Sequence, residues 1–272
     1  MIAPIGDPRS MPQTALITGA SVGIGYELAK QFARGGYNVL LVARDHDRLA
    51  AVCEEIKGMG VQADYVARDL SQPDGPISVY ADTLERKIEV DVVVNNAGFG
   101  ALGRFDEIDL QRQIDMVQVN VGTLMELTHR FLPGMVQRGQ GGVLNVASTA
   151  AYQAGPLMAV YYASKAFVLS FTEAIAEELK ETGLKVSALC PGPTSSEFRS
   201  RAKLDDPNAP VTQSKLIPMM TAEAVAAAGY NGWRRGKRIV VPGLMNKLGV
   251  QGTRLGTRRF ATKIAGKINK AK

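Results

Sequence analysis

The stretch TALITGASVGIG, residues 14–25, decides the fold because it joins an apolar run to a glycine-rich turn. Its first five residues are typical of a buried strand, and helical periodicity begins near Gly23. Gly19, Gly23 and Gly25 stand between the two with the spacing GxxxGxG. Glycines at such a junction let the backbone turn tightly and let a pyrophosphate approach the helix N-terminus. The stretch therefore predicts a strand, a turn and a helix that bind a dinucleotide, with a simple tight turn as the alternative.

Apolar, β-rich runs of the same kind recur along the chain. Stretches with helical periodicity separate them, and the clearest of these covers residues 160–182. Continuous apolar strands that alternate with helices indicate a parallel sheet covered on both faces. We therefore predict an α/β fold: a Rossmann-like doubly wound parallel sheet in a three-layer α/β/α single domain. The predicted strands cover residues 14–18, 37–43, 61–67, 90–95, 142–147, 184–190 and 238–242.

The 272 residues, 46% of them hydrophobic, suffice for one large core. We expect a flexible leader over residues 1–12 and a catalytic domain over residues 13–243. A lid insertion, rich in Pro, Ser and Asp, interrupts that domain at about residues 193–220. A basic tail, residues 244–272, follows the domain.

The positive charge of the chain belongs to its C-terminal part. The formal net charge is +6, yet twelve Lys and Arg and no Asp or Glu follow from Arg234 onward, which leaves −6 for the rest. We therefore expect no nucleic-acid partner. The tail alternates lysines with apolar residues and predicts a basic amphipathic helix that its glycines weaken. Packing on a partner subunit, or fraying, is favoured over contact with an anionic membrane surface; the apolar residues of the tail are Leu248, Leu255, Phe260, Ile264 and Ile268.

Several classes of protein are excluded. The two cysteines, Cys53 and Cys190, form no CxxC motif and the chain has two histidines, so we expect no disulfide scaffold and no metal. The first dozen residues hold no apolar segment of the secretory kind, and no run approaches the length of a membrane span. These features predict a cytoplasmic protein.

Arg44 directly follows the second predicted strand. An acidic residue at this place would bind the 2′-hydroxyl of an NAD ribose, whereas a guanidinium matches a 2′-phosphate through charge-assisted hydrogen bonds. Arg44 therefore favours NADP(H) as the cofactor. The alternative is a solvated arginine that opens the charged run ARDHDR.

Tyr161 and Lys165 stand four residues apart on the clearest helix, so their side chains share one face. An ammonium near a phenol favours the phenolate, and we expect it to lower the pKa of Tyr161 from its usual value of about 10. Tyr161 then serves as the acid in carbonyl reduction and as the base in alcohol oxidation. Ser148, after the fifth strand, supplies a hydroxyl for the substrate oxygen. The rival tyrosines Tyr152 and Tyr162 have no lysine four residues on.

The ordered series TGxxxGxG, NNAG, Ser148, YxxxK and PG resembles the short-chain dehydrogenase/reductase family over residues 13 to about 243. The resemblance implies an oxidoreductase that interconverts a carbonyl and an alcohol by hydride transfer, and a homodimer or homotetramer. It also implies a catalytic tetrad in which Asn120 helps to hold a water that links Lys165 to bulk solvent. Lys165 would also bind the ribose of the nicotinamide. Ser196 is a departure, since the family often has Thr there.

The same resemblance assigns the cofactor contacts. It places Asp69 and Leu70 at the adenine, and Asn95, Ala97 and Gly98 at the adjacent ribose and in the packing of strand four. The segment from Pro191 to Thr194 lies on the nicotinamide side. The full set of predicted cofactor residues is Gly19, Ser21, Gly23, Ile24, Gly25, Arg44, Asp69, Leu70, Asn95, Ala97, Gly98, Tyr161, Lys165, Pro191, Gly192 and Thr194.

The expected walls of the substrate pocket are apolar. They are residues 99–105, residues 152–158 and the lid, and they favour a hydrophobic ketone or aldehyde as the small-molecule substrate. The lid residues meant are Leu216, Ile217, Met219 and Met220. A serine hydrolase is disfavoured because Ser148 stands in VASTA rather than GxSxG. The alternative from another class is a non-catalytic NADPH-binding regulatory protein on the same fold.

Overall fold

The computed structural model describes residues 12–195, 197, 202, 219–255 and 257–269. Strands of the central sheet in this part of the chain are β1 (Thr14–Thr18), β2 (Asn38–Ala43), β3 (Ala63–Ala67), β4 (Val92–Asn95), β5 (Gly142–Val146), β6 (Lys185–Leu189) and β9 (Ile239–Val240). Between the last two, β7 (Thr194–Ser195) and β8 (Met220–Thr221) form a short separate pair. The order β3-β2-β1-β4-β5-β6-β9 is parallel throughout.

The described helices are α1 (Gly23–Arg34), α2 (His46–Lys57), α3 (Gly75–Glu85), α4 (Leu110–Val117), α5 (Leu124–Arg138), α6 (Ala159–Glu178), α7 (Ala222–Arg234), α8 (Leu244–Leu255) and α9 (Arg258–Asn269). A π-helical turn, Gln118–Thr123, joins α4 to α5, and a 3₁₀ turn, Thr149–Tyr152, precedes α6. These turns bring two of the predicted site residues, Asn120 and Ser148, to the ends of regular elements.

The helices cover the sheet on both faces because successive residues of a strand point to opposite sides. Ile17 packs into a core that includes Phe32 of α1 and Trp233 of α7. Its neighbour Leu16 packs on the opposite face, against Phe131 of α5. Helices α1, α2 and α7 thus form one outer layer, and α3, α5 and α6 form the other. The predicted three-layer, doubly wound fold is confirmed.

The Thr18 hydroxyl joins the end of β1 to the loop after β4. It accepts the backbone N–H groups of Asn96 at 3.0 Å and of Ala97 at 2.9 Å. The Asn96 side chain in turn donates to the carbonyl oxygens of Thr18 and Gly19. The strand order of the sheet changes direction between β1 and β4. Ligands of open α/β sheets bind at such a point.

Some predicted boundaries shift. Five strands begin one or two residues later than predicted, and α6 ends at Glu178 rather than at residue 182. The tail forms two helices, α8 and α9, where one was predicted. Residues 1–11 of the predicted leader and most of the predicted lid, including Ser196, Leu216 and Ile217, lie outside the described residues, so the domain boundaries stay predictions. Among the described helices none is long and apolar enough to cross a membrane.

Replacing Thr18 by valine should lower the free energy of unfolding by about 1–3 kcal/mol, because two backbone N–H groups lose their buried acceptor. Thr14→Val, the same change at the other end of β1, is the matched control, since no hydrogen bond of the Thr14 hydroxyl exists among the described residues. Urea unfolding measures both variants. Equal midpoints for the two would contradict the structural role given to Thr18.

Candidate active site

A cleft of about 1330 Å³ opens at the carboxyl edge of the sheet. Residues that follow each of six strands line it: Gly19 after β1, Arg44 after β2, Arg68 and Asp69 after β3, residues 96–99 after β4, Ala147 and Ser148 after β5, and residues 191–194 after β6. Parallel strands place all of these residues at one edge because their carboxyl ends coincide. The cleft is therefore a direct product of the sheet topology.

One end of the cleft is suited to an anion. Gly19 and Gly23 have φ angles of 65° and 61°, in the region that favours glycine. A Cβ on Gly25 would collide with the carbonyl oxygen of Gly19. Helix α1 begins after Val22, whose side chain accepts no hydrogen bond, and its first turn carries no acidic residue. Helix α2, by contrast, is capped by the Asp45 carboxylate. Among the residues that the structure describes, the first N–H groups of α1 thus have no side-chain acceptor, and they border the cleft, as an anion site requires.

Two arginines border the cleft beside this end. The Arg44 side chain is 66% exposed, and its Nη1 lies 3.8 Å from Oδ2 of Asp69. Arg68 also lines the cleft, and its backbone N–H donates to the carbonyl oxygen of Ala43 at 2.8 Å. Arg68 was not among the residues predicted for the site. The available signal was its place directly after the third strand, which matches the place of Arg44 after the second.

Ser148, Tyr161 and Lys165 meet in the cleft as predicted. Lys165 lies one turn after Tyr161 on α6, and its Nζ is 5.9 Å from the centre of the Tyr161 ring. That Nζ donates to the carbonyl oxygen of Val146 at 2.8 Å. Ser148 hydrogen-bonds to Tyr161 and accepts the backbone N–H of Ala150 at 3.1 Å. The phenol and the serine hydroxyl therefore point to one place.

The expected lowering of the Tyr161 pKa is wrong for this structure. Burial raises the pKa of Tyr161 to about 12, although the hydrogen bond with Ser148 acts in the opposite direction. Burial also lowers the pKa of Lys165 to about 8. Removal of water disfavours both charged forms, and the Lys165 ammonium is directed at the Val146 carbonyl. Near neutral pH, Tyr161 consequently carries a proton to donate.

Asn120 lies behind the cleft rather than at its surface. It is buried in the π-helical turn, where Oδ1 accepts the N–H of Phe99 at 3.0 Å. Its Nδ2 donates to the Phe99 carbonyl and to the Ser164 hydroxyl. A Cβ on Gly98 would meet both Asn120 Oδ1 and Lys165 Nζ, so the two groups flank the same glycine. Asn120 thus holds the wall beside Lys165, and its role toward a relay water stays a prediction.

Two predicted cofactor residues do not border the cleft. Gly25 is buried beneath the glycine turn, and Asn95 is buried where its Nδ2 donates to Thr128 and Asn145. Asn95 fits the strand packing expected of it, and Asn96 takes the place at the cleft. The other predicted residues do line it, namely Gly19, Ser21, Gly23, Ile24, Arg44, Asp69, Leu70, Ala97, Gly98, Tyr161, Lys165, Pro191, Gly192 and Thr194.

The C-terminal helices form the opposite wall of the cleft. Asn269 of α9 is buried, and its Nδ2 donates to the carbonyl oxygen of Pro156 at 3.0 Å. The Tyr162 hydroxyl lies 3.4 Å from Asn269 Oδ1. Helix α9 thus packs on the α/β domain of its own chain rather than fraying, and packing of the tail on a partner subunit stays a prediction. From the tail, the cleft receives Met245, Asn246, Gly249, Val250, Gly252, Thr253, Phe260, Ala261, Ile264, Ile268 and Asn269.

Some of the residues predicted to form the walls of the substrate pocket border the cleft, and others do not. Phe99 and Met158 border the cleft, and so does Tyr162. Tyr152 does not border it, and its hydroxyl lies 3.8 Å from the sulfur of Cys190 behind Ser148. Among the described residues no group of three or more His, Cys, Asp or Glu side chains is arranged to hold a metal ion.

The parallel sheet, the glycine turn and the cleft at the carboxyl ends of the strands are features of the doubly wound α/β class of proteins. The family model described as short chain dehydrogenase matches residues 13–207, and the chain belongs to that family. Its members are oxidoreductases that use nicotinamide cofactors.

Named relatives agree with this membership. The ketoacyl reductase HetN of Nostoc sp. is 32% identical over 216 residues, which are 79% of this chain and 73% of that protein. A solved short-chain dehydrogenase of Sphingobium yanoikuyae in complex with NADPH is 30% identical with a TM-score of 0.78, and the match covers 90% of this chain and 94% of that one. A solved 7beta-hydroxysteroid dehydrogenase is 27% identical with a TM-score of 0.83, covering 93% and 96%.

Lys165→Met should stabilise the fold while it removes a site residue. The folded pKa of about 8 lies below the ordinary 10.5, so the cost of the buried charge is fully present below pH 8. It fades as the pH rises from 8 to about 10.5. The variant should therefore gain up to about 3 kcal/mol in the free energy of unfolding near pH 7, and less above pH 9.

Urea unfolding at several pH values measures this gain. The exposed lysine after α6, replaced in Lys180→Met, is the control and should change the free energy of unfolding by less than about 0.5 kcal/mol. A Lys165→Met variant that is less stable than the wild type at pH 7, or equally shifted at every pH, would contradict the burial effect.

Proposed function

We propose that the protein is an NADP(H)-dependent reductase that converts a hydrophobic ketone or aldehyde to an alcohol. The meeting of Ser148, Tyr161 and Lys165 in a cleft that also contains an uncapped helix N-terminus carries this proposal. Ser148, Tyr161 and Lys165 supply hydrogen bonds and a proton, and the N-terminus of α1 supplies a site for a pyrophosphate. The resemblance of the motif series and the membership of the family support the same chemistry.

The residues of the cleft fit the cofactor by their chemistry. The first turn of α1 offers N–H groups without side-chain acceptors to the pyrophosphate. Arg44 and Arg68 offer guanidinium groups to a 2′-phosphate, which NAD lacks. Lys165 and the segment from Pro191 to Thr194 would hold the nicotinamide half. When bound, the cofactor supplies the hydride for the carbonyl carbon.

The side chains of this protein act on the carbonyl oxygen. The Ser148 hydroxyl donates a hydrogen bond to that oxygen and orients the substrate. Tyr161, which retains its proton near neutral pH, transfers it to the oxygen as negative charge develops there. The protonated Lys165 favours the resulting phenolate, which then recovers a proton from solvent. In the reverse direction the phenolate of Tyr161 removes the proton from the alcohol.

The substrate side of the cleft supports an apolar compound. Met158, Val250, Phe260, Ile264 and Ile268 line it. The relatives named as a ketoacyl reductase and as a hydroxysteroid dehydrogenase point to apolar carbonyl compounds as well. The EC class 1.1.1, the cytoplasmic location and the homodimer or homotetramer expected from the sequence stay predictions.

Tyr161→Phe should lower kcat/KM for carbonyl reduction by roughly 100- to 10,000-fold, because it removes the proton donor but keeps the ring. Oxidation of NADPH with a panel of hydrophobic ketones and aldehydes measures the rates. Tyr152→Phe is the matched control, since Tyr152 lies outside the cleft, and its rates should equal those of the wild type.

Equal rates for Tyr161→Phe and the wild type would refute the proposed mechanism. A wild-type protein that binds NADPH, as followed by fluorescence titration, but reduces none of the compounds would instead favour the non-catalytic NADPH-binding protein.

Arg44→Asp should shift the ratio of kcat/KM for NADPH over NADH by roughly 100-fold toward NADH. The change removes a charge-assisted contact to the 2′-phosphate and places a repelling carboxylate there. Arg68→Gln should shift the ratio in the same direction but less. Arg34→Gln, at the opposite end of α1, is the control and should keep the ratio. An unchanged ratio in Arg44→Asp would refute the cofactor assignment.

A further inference from the structure

Helix α9 presents an apolar stripe to the substrate side of the cleft. Phe260, Ile264 and Ile268 follow one another at intervals of four residues, and all three line the cleft. Phe260 is 60% exposed and Ile264 is 41% exposed, so the stripe remains open to a ligand. The neighbouring stripe of Ala261, Ala265 and Asn269 is buried and holds the helix on the domain. These three residues form the side of α9 that faces the domain.

A basic stripe adjoins the apolar one. Successive residues of a helix are about 100° apart, which places Lys263 and Lys267 beside Phe260 on the side away from the buried stripe. Both lysines are exposed, and neither forms an ion pair within the part of the chain that the structure describes. The sequence after Glu223 contains no Asp or Glu. The rim of the cleft on this side therefore carries cations directly outside an apolar wall.

We propose that the substrate is an amphiphile, with an apolar chain that lies along Phe260, Ile264 and Ile268 and an anionic end that Lys263 and Lys267 bind at the rim. This inference rests on the proposed function and names its substrate class. The anionic group is a carboxylate on the chain or a phosphate of a carrier to which the chain is attached as a thioester. Both match a pair of lysine ammonium groups on flexible stems.

The opposite wall strengthens the assignment of the anion to α9. Asp109, Arg112 and Asp115 line the cleft at α4, and their two carboxylates and one guanidinium leave this wall with a net negative charge. The anionic end is thus directed to the side of Lys263 and Lys267. Helix α9 also lies beyond residues 13–207, the part that matches the family model. The preference for an amphiphile is in this way a property of this chain's own C-terminal helices.

The test compares charged and neutral forms of the same ketone. One pair is a long-chain fatty acid with a methyl ketone at the end remote from its carboxylate, and the methyl ester of that acid. The other pair is a long-chain 3-oxoacyl thioester of coenzyme A and the same acyl thioester of N-acetylcysteamine. NADPH oxidation gives kcat and KM for each compound with the full-length protein.

The test variant is Lys263→Gln/Lys267→Gln. The control is Arg235→Gln/Lys237→Gln, which removes the same charge before β9, at the amino edge of the sheet. In the test variant the ratio of kcat/KM for the charged over the neutral form should fall about tenfold, mainly through KM, and it should hold in the control. Added salt should lower the same ratio in the wild type.

If the ratio falls for the fatty acid and its methyl ester, the anion is a carboxylate. If it falls for the coenzyme A thioester and its N-acetylcysteamine analogue, the anion is a phosphate of the carrier. If the neutral forms are reduced but neither the Lys263→Gln/Lys267→Gln variant nor added salt changes the ratio, this inference is overturned and the proposed function remains intact. A wild-type protein that reduces none of the four compounds would overturn the proposed function and this inference together.

Discussion

The cleft depends on one hydroxyl group, that of Thr18. It accepts two backbone N–H groups from the loop after β4, and Asn96 of that loop donates back to the end of β1. The bonds fix the glycine turn against the loop at the point where the order of the sheet reverses. The residues that follow the other strands line the same cleft, because the parallel register carries the end of each strand to the same edge.

The sequence predicted the sheet well because its strands are buried on both faces and read as continuous apolar runs. Leu16 and Ile17 show why: one packs on α5 and the other on α1, so neither position tolerates a polar residue. The ends of helices were harder to predict, since a half-buried position such as Leu179, which packs against the core, is compatible with helix or turn. The division of the tail into α8 and α9 follows from how those helices pack on the domain, which no local pattern records.

The meeting of Tyr161, Lys165 and Ser148 was predictable because Tyr161 and Lys165 share a helix face and Ser148 follows the end of a strand. What local spacing did not show is the degree of burial. Burial sets the direction of the Tyr161 and Lys165 pKa shifts, and it separates Asn95, which packs inside, from Asn96, which faces the cleft. The residues of α9 reach the cleft through contacts between distant parts of the chain, so neighbouring residues did not assign them to the site, whereas the place of Arg68 directly after the third strand was a local signal.

The contact between Tyr162 and Asn269 spans 107 residues of sequence. On a ribosome that adds about 5 to 20 residues per second, the helix that carries Tyr161 emerges roughly 5 to 20 s before α9 does. During that interval the nucleotide half of the cleft has all its strands in reach, whereas the substrate half still lacks a wall. The nascent chain thus completes the part of the cleft that the strand ends form first and the wall that α9 forms last.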